Sequence, residues 1–525
     1  MVSNTQAGYT KIIVLRRFSL SPFSARNIVA KKNLFVKRKK GIIEKKEEKQ
    51  ICSEMGTAMI IPKNAAFIIR TLEEHGYEAY VVGGCVRDMV LGREPGDWDI
   101  TTSARPMQVK ALFRRTIDTG IQHGTVTVML GDEGYEVTTY RTDGEYEDHR
   151  HPREVLYTPD LKEDLERRDF TINAMAYHPE RGMIDLFDGS GDLKRRCIRC
   201  VGNPERRFEE DALRMLRGIR FAAQLEFDVE EQTMRAIADK APTLVNVSAE
   251  RIRTELTKLL VSDGCDRLLL LAETGLSCYF LPELDVMLAT QQQNPHHCFD
   301  VGRHSIKVIQ YVNDVYRKDT AAFSQKEHVM LVYAALLHDV AKPDCKSVDE
   351  EGIDHFYGHP EHGETKAKQI LRRLKFDNDT VSTVSRLIRY HDRRHANCLV
   401  NGMYSTKGKK GMRRLINEMG KSAMPLLFCL QQADLRAQSA YKKEEKLQKL
   451  AAAKRCYSEI IEAGDAVTIQ ELAVDGSDLI EMGVSPGPQI GEILRKLLEH
   501  VLANPQNNTK YKLIELARRW IEKDG

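Results

Sequence analysis

From Pro204 onward, apolar residues recur almost entirely at the 3.6-residue spacing of amphipathic helices, whereas the stretch before it mixes short helical and alternating runs. Residues 64–76 are patterned as an amphipathic helix. Ala79–Gly83, Trp98–Thr101, His123–Leu130 and Tyr135–Arg141 are patterned as strands, the last two joined by a hairpin turn over Gly131-Asp-Glu-Gly134. A chain of this kind folds as α+β: a small mixed β-sheet head followed by a helical body. Its 525 residues suffice for several domains, and breaks near Gly202-Asn203-Pro204, Gln291–Pro295 and residue 400 divide it into 59–202, 203–290, 291–400 and 401–525. The longest unbroken apolar runs, such as Val329–Leu337, are far short of the ~18–20 residues a membrane span needs, so no membrane partner is expected.

Residues 1–58 stand apart. Met1 to Ile43 contain no Asp or Glu, and residues 1–54 hold 13 Lys/Arg against 4 Glu, a balance of +9 in a chain whose net charge is +3. The rest therefore sums to about −6, and a nucleic-acid partner must use a local basic face. The segment reads as a basic tail outside the fold, disordered or upstream of a start at Met55 or Met59; its composition also allows an organelle transit peptide. The 11 cysteines are scattered, and Cys197-Ile-Arg-Cys200 has no second pair at zinc-finger spacing, so reduced thiols and a cytoplasmic location are expected.

The chemistry begins at Val81-Val-Gly83-Gly84-Cys-Val-Arg87-Asp88. A strand that runs through Gly-Gly into a helix lets backbone N–H groups approach a polyphosphate. Asp97-Trp-Asp99 follows, two carboxylates spaced to share a strand face. Side by side they repel unless divalent cations lie between them, which is the requirement of two-metal phosphoryl transfer, and Mg²⁺ suits such oxygen ligands. Glu136 on the adjacent strand is a candidate third carboxylate. Alone, Gly-Gly is a turn and Asp-x-Asp a solvated loop. Their combination after a strand is what carries meaning.

These residues resemble the class II tRNA nucleotidyltransferases, the CCA-adding enzymes and their bacterial poly(A) polymerase relatives of the polymerase β-like superfamily. The motif order matches from about residue 60 to the C-terminus. The resemblance implies that Glu166-Arg167-Arg168-Asp169-Phe-Thr-Ile-Asn173 is the ribose-binding motif, with Arg168 and Asp169 favouring ribonucleotides; by itself the segment reads as a salt-bridged helix start. Asp185-Leu-Phe-Asp188-Gly189 matches the family's link from head to neck. In Glu210-Asp211-Ala-Leu-Arg214-Met-Leu-Arg217-Gly-Ile-Arg220, Asp211 and Arg214 at i and i+3 would share a helix face, ordinarily a surface salt bridge. As a base-reading pair, the carboxylate would accept from the exocyclic amine of cytosine or adenine and the arginine would donate to the neighbouring acceptor. Uracil and guanine present the opposite pattern. Ser248-Ala-Glu250-Arg251 resembles the last neck motif. The polar stretch Asp143–Arg153 resembles the flexible loop tied to the final A addition, which favours a complete CCA enzyme.

The helical body carries His304, His338-Asp339, His359, His362 and His391-Asp392. Their order resembles the HD phosphohydrolase fold, which implies that His304, His338, Asp339 and Asp392 bind a divalent metal and activate water. Basic clusters at Lys407–Arg414 and Lys442–Arg455 are solvated helix faces or phosphate contacts, and the sequence after Leu472 is similar to the tail that grips tRNA in this family. The expected activity is template-independent addition of C, C and A to tRNA from CTP and ATP. Asp97, Asp99 and Glu136 would hold two Mg²⁺, while Gly83, Gly84, Arg87, Arg167, Arg168, Asp169, Asn173, Asp211, Arg214, Arg217 and Arg220 bind the nucleotide. Rival readings are poly(A), A-only or CC-only addition on the same scaffold, a metal-dependent phosphohydrolase with an RNA-binding head, and a non-enzymatic RNA-binding module.

Overall fold

The computed structural model describes residues 59–143, 155–393, 399–400 and 403–524. The basic N-terminal segment and most of the Asp143–Arg153 stretch lie outside the described residues. In the head, the strands are β1 (Ala79–Val82), β2 (Asp99–Thr102), β3 (Thr116–Gly120), β4 (Thr125–Leu130), β5 (Glu133–Thr139), β6 (Arg141–Asp143), β7 (Val155–Tyr157), β8 (Met175–His178) and β9 (Gly182–Asp185). Seven of them form one mixed sheet in the order β3-β4-β5-β2-β1-β8-β9, in which β2 and β5 run parallel and the other neighbours antiparallel.

All four residues of β1 are buried. Alternation sends Ala79 and Val81 into the main core with Ile68 and Leu72 of the helix Lys63–Glu74, and Tyr80 and Val82 into a smaller cluster with Leu161 and Leu165. A strand covered on both faces sits mid-sheet, and its C-terminal end is held in one place. The β4–β5 hairpin is tighter than the sequence pattern implied. Leu130 pairs with Glu133 across a two-residue turn in which Gly131 takes φ +65°, so β5 starts at Glu133 rather than Tyr135. His123 falls in a 3₁₀ turn ahead of β4. Strands β3, β8 and β9 gave no clear alternation in sequence because β3 is mostly exposed at one sheet edge, β8 is buried throughout and β9 is half-buried along the other edge.

The connection into the helical part depends on Asp185. Its carboxylate accepts from the Gly189 and Ser190 N–H groups at 2.7 and 2.8 Å, which starts the helix Gly189–Arg195. A Cβ on Gly189 would stand 2.3 Å from the Thr171 carbonyl oxygen, so only glycine lets this helix close on the Thr171–Asn173 turn. Beyond Pro204 the described residues are helical apart from short strands: Asp228–Val229 pairs back with Cys197–Ile198, and Ser347–Val348 with Asp354–His355. One apolar core runs from Ala65 in the head through Leu213–Leu225 and the body helices to Leu498 and Leu502, while a second, smaller core gathers Val474, Leu497, Leu513 and Ala517. Among the described residues no helix is long and apolar enough to cross a membrane.

Candidate functional site

Gly83 ends β1 and precedes the helix Gly84–Val90 with φ +82°, its N–H donating to Met175 O at 3.2 Å. A Cβ there would come within 3.0 Å of Arg168 Nη1 and 4.0 Å of Asp99 Oδ2. The bare backbone of this turn therefore fills a cradle between a guanidinium and a carboxylate. Asp99 heads β2 and is the register partner of Glu136 in β5, so their side chains project from one sheet face. Asp97 lies in the bend before β2 rather than in the strand, so strand alternation does not aim it. Its charge nonetheless acts on Asp99. Burial, then the like charge of Asp97, with Glu136 adding and Arg168 opposing, push the Asp99 carboxyl up to about 6. A carboxylate whose ionisation is opposed by burial and by two acidic neighbours fits a divalent cation held among the three.

Behind this face Asp164 is fully buried and organises the arginines. It accepts from Arg167 Nη2 at 2.7 Å, Arg168 Nη2 at 3.3 Å and the Thr101 hydroxyl at 3.1 Å. Asp169 is held by Arg217 (2.7 Å from Nε, 2.6 Å from Nη2) and by Asn173 Nδ2 at 3.2 Å. Burial would raise its carboxyl, but Arg217 and Arg214 prevail and hold it at about 2. Asn173 in turn accepts from Arg87 Nη1 at 2.8 Å. A polar relay thus joins the Gly83–Gly84 turn to the helix Leu213–Leu225.

Asp211 is not on that helix. It sits between Pro204–Glu210 and Leu213–Leu225 in extended conformation, and its Oδ1 accepts the Leu213 N–H. The expected i,i+3 helix face is therefore replaced by a cap, because the helix breaks at Asp211. Asp211 pairs with Arg251 at 2.8 Å, and Arg214 pairs with Glu210 at 2.6 Å while donating to Arg167 O at 3.0 Å. Arg220 is tied to Glu255 at 2.7 Å and lies over the Phe221 ring, which Arg87 and Arg217 also approach. Sequence reasoning passed over Asp164, although an acid three and four residues before two arginines was its signal.

The second centre lies in the body. His304 Nε2 is 2.9 Å from Asp434 Oδ1, and His338 Nε2 is 3.2 Å from Asp339 Oδ2. His359 and His391 face Asp339 Oδ1 at 3.5 and 3.6 Å. The Nδ1 atoms of His338, His359 and His391 lie 2.9, 2.7 and 2.6 Å from the carbonyls of Ala335, Phe356 and Ile388, which leaves each Nε2 facing inward. His338 Nε2 and both Asp339 oxygens are buried without a hydrogen-bond partner. Burial alone would raise the Asp339 carboxyl, yet the charges of His338 and Lys342 hold it well below the ordinary range. Asp392, expected among the ligands, is exposed and outside the cluster. It lies past the end of the helix Asn378–Tyr390, and the carboxylate facing His304 is Asp434 from the helix Met424–Ala437. The one acid in the largely apolar helix Met424–Ala437 was the sequence signal for it. The cluster opens on a cleft of about 730 Å³ lined by Lys342, Tyr357, Arg393 and Lys446 among others.

A mixed-sheet head with a carboxylate group at a Gly-Gly turn, joined to a helical neck, defines a nucleotidyltransferase of the template-independent RNA type. Residues 79–199 match the poly A polymerase head domain, 226–288 the probable RNA and SrmB-binding site of polymerase A, and 349–517 the tRNA nucleotidyltransferase domain 2. The chain is 33% identical over 458 residues to the CCA-adding enzyme of Enterococcus faecalis, covering 87% of this chain and 96% of that one. It is 52% identical over 223 residues to that of Geobacillus thermodenitrificans, 42% of this chain and 55% of the other. The crystal structure of the Bacillus stearothermophilus CCA-adding enzyme in complex with CTP superposes with a TM-score of 0.63 at 30% identity, covering 89% of this chain and all of that one. The chain belongs to the CCA-adding enzyme family.

Proposed function

We propose that the protein adds C, C and A in turn to the 3′ end of tRNA, taking CTP and ATP as donors and releasing pyrophosphate. The juxtaposition of Asp99 and Glu136 in register, beside Asp97 and the open Gly83 turn, carries this reading. Asp97, Asp99 and Glu136 would hold two Mg²⁺, which when bound lower the pKa of the attacking 3′-hydroxyl and neutralise charge on the leaving pyrophosphate. The Gly83–Gly84 backbone admits the triphosphate closely. Arg168, anchored on Asp164, offers a guanidinium to its oxygens. Asp169, kept ionised by Arg217, accepts the ribose 2′-hydroxyl. Asp211 and Arg214 read the base once they turn from Arg251 and Glu210 toward it. The 3′-oxygen forms a bond to the α-phosphorus as the bond to pyrophosphate breaks. No disulfide joins the described cysteines.

Incubating the protein with tRNA that lacks CCA, Mg²⁺ and CTP, ATP or both, resolved at single-nucleotide length, tests this. A stop at two added residues with CTP and three with both supports it; a poly(A) ladder or a stop at CC favours the rival terminal activities.

A second reading concerns the histidine cluster. The convergence of His304, His338, Asp339 and Asp434 in one buried cluster, with His338 Nε2 and Asp339 Oδ1 lacking a hydrogen-bond partner, favours a divalent metal there and metal-dependent phosphoester hydrolysis. Hydrolysis of bis-p-nitrophenyl phosphate that disappears in His338→Ala while CCA addition persists is the expected result.

A further inference from the structure

Arg217 and Gly218 stand four and three residues before Phe221 on the helix Leu213–Leu225, so the three share one face. The bare backbone at Gly218 makes room for Phe170, whose Cζ would lie 3.0 Å from a Cβ placed there. The Phe170 and Phe221 rings meet nearly edge to face at 79°, with 5.9 Å between centroids. Phe170 directly follows Asp169, and its N–H donates to Asp169 Oδ1 at 2.8 Å. The aromatic pair therefore pins the backbone beside the carboxylate that is proposed to contact the ribose.

Three guanidinium groups gather on the same buried ring. The Cζ of Arg220 is 3.6 Å from the Phe221 centroid, that of Arg87 5.3 Å and that of Arg217 5.4 Å. Each arginine has its own acid, and the acids stand on separate elements: Asp88 on the helix Gly84–Val90, Asp169 before the Thr171–Asn173 turn, and Glu255 on the helix Ala249–Leu260. Three such ion pairs do not of themselves draw the arginines to one place, and like charges brought together repel. Burial first, with the like charge of Arg217 adding, pushes Arg220 below its ordinary range against the pull of Glu255. What the three share is an aromatic face, whose negative potential attracts cations within about 6 Å and most strongly where water is excluded.

We propose that Phe221 is a positioning residue for nucleotide selection: its ring holds Arg87 and Arg217 in place, and these fix Asp169 from two sides, Arg217 directly and Arg87 through Asn173. Arg220 anchors the ring to the neck through Glu255. This role rests on the transferase reading and adds to it a buried side chain with no polar atom of its own.

The test keeps the shape of the ring and weakens its face. Phenylalanines bearing one, two and three ring fluorines are placed at position 221 of the full chain, beside Phe221→Leu. For each protein kcat/KM is measured for CTP and dCTP on tRNA lacking CCA, together with a melting temperature. The CTP/dCTP ratio should fall stepwise with fluorine count, and by about 10-fold in Phe221→Leu, where the face is gone. In Asp169→Ala the same series should leave the ratio flat, because the group that reads the sugar is absent. A ratio that ignores fluorine count, or follows the melting temperature instead, makes the ring a filler and overturns the role. A slope that persists in Asp169→Ala overturns the route through Asp169. No nucleotide addition by the parent overturns the role and the transferase reading together.

Discussion

Asp169 and Arg217, separated by 48 positions in sequence, meet through two contacts of 2.7 and 2.6 Å inside the neck. This pair connects the proposed sugar contact to the helix that follows Asp211, and Asn173 extends it to Arg87 at the Gly-Gly turn. Arg217→Ala leaves a carboxylate buried without its main partner and should destabilise the protein by about 3–5 kcal/mol, read by urea denaturation. Asp169→Ala should raise the use of dCTP relative to CTP, read as a ratio of kcat/KM. An unchanged ratio would remove Asp169 from the sugar pocket.

Loss of either aspartate of the head site should be severe. Asp99→Ala or Asp97→Ala is expected to lower nucleotide addition on the order of 10³-fold or more, because several kcal/mol of charge neutralisation at the reacting phosphate go with the metal ligands. Hydrolysis at the histidine cluster should be unaffected in the same preparations.

The raised carboxyl of Asp99 predicts two pH effects. Activity at limiting Mg²⁺ should fall as pH drops through about 6, and added Mg²⁺ should move that midpoint lower by competing with the proton. For stability the sign is opposite to that of a salt-bridged acid. The folded pKa of about 6 exceeds the ordinary carboxyl value of 3.8, so the folded state binds more protons and stability declines as pH rises across that interval. Asp99→Asn should therefore melt higher than the parent at pH 7 without Mg²⁺, by about 1–2 kcal/mol. An equal or lower melting temperature would contradict the burial of this charge.

Asp434 and Asp392 separate cleanly. Asp434→Ala should cost metal retention and phosphoester hydrolysis, whereas Asp392→Ala, exposed and outside the cluster, should keep both. CCA addition serves as the folding control for each.

Gly189→Ala tests the link between head and neck. Its Cβ would press on the Thr171 carbonyl at 2.3 Å and on Met175 Cγ at 2.9 Å, so a loss of about 2–4 kcal/mol is expected. Displacement of the Thr171–Asn173 turn should also raise KM for nucleotide.

Much of the head was legible because its chemistry is local in sequence: a glycine turn, an acid pair and an Arg-Arg-Asp run each sit within a few residues. Asp97 and Asp211 were identified but misplaced, one taken into a strand that starts at Asp99 and the other onto a helix that starts at Leu213. Both are element ends, where a side chain that caps or bends the backbone overrides periodicity. Asp434 was missed for a different reason. Its partner His304 is 130 positions away, and only packing of Met424–Ala437 against Val301–Lys318 brings them together. The outer strand β3 is mostly exposed and β9 half-buried along its length, so neither sets apolar against polar residues.

The apolar core that runs from Ala65 to Leu502 draws side chains from head, neck and body alike. A cavity opened in any one of the three is therefore expected to weaken the others with it, so that they melt together rather than in turn.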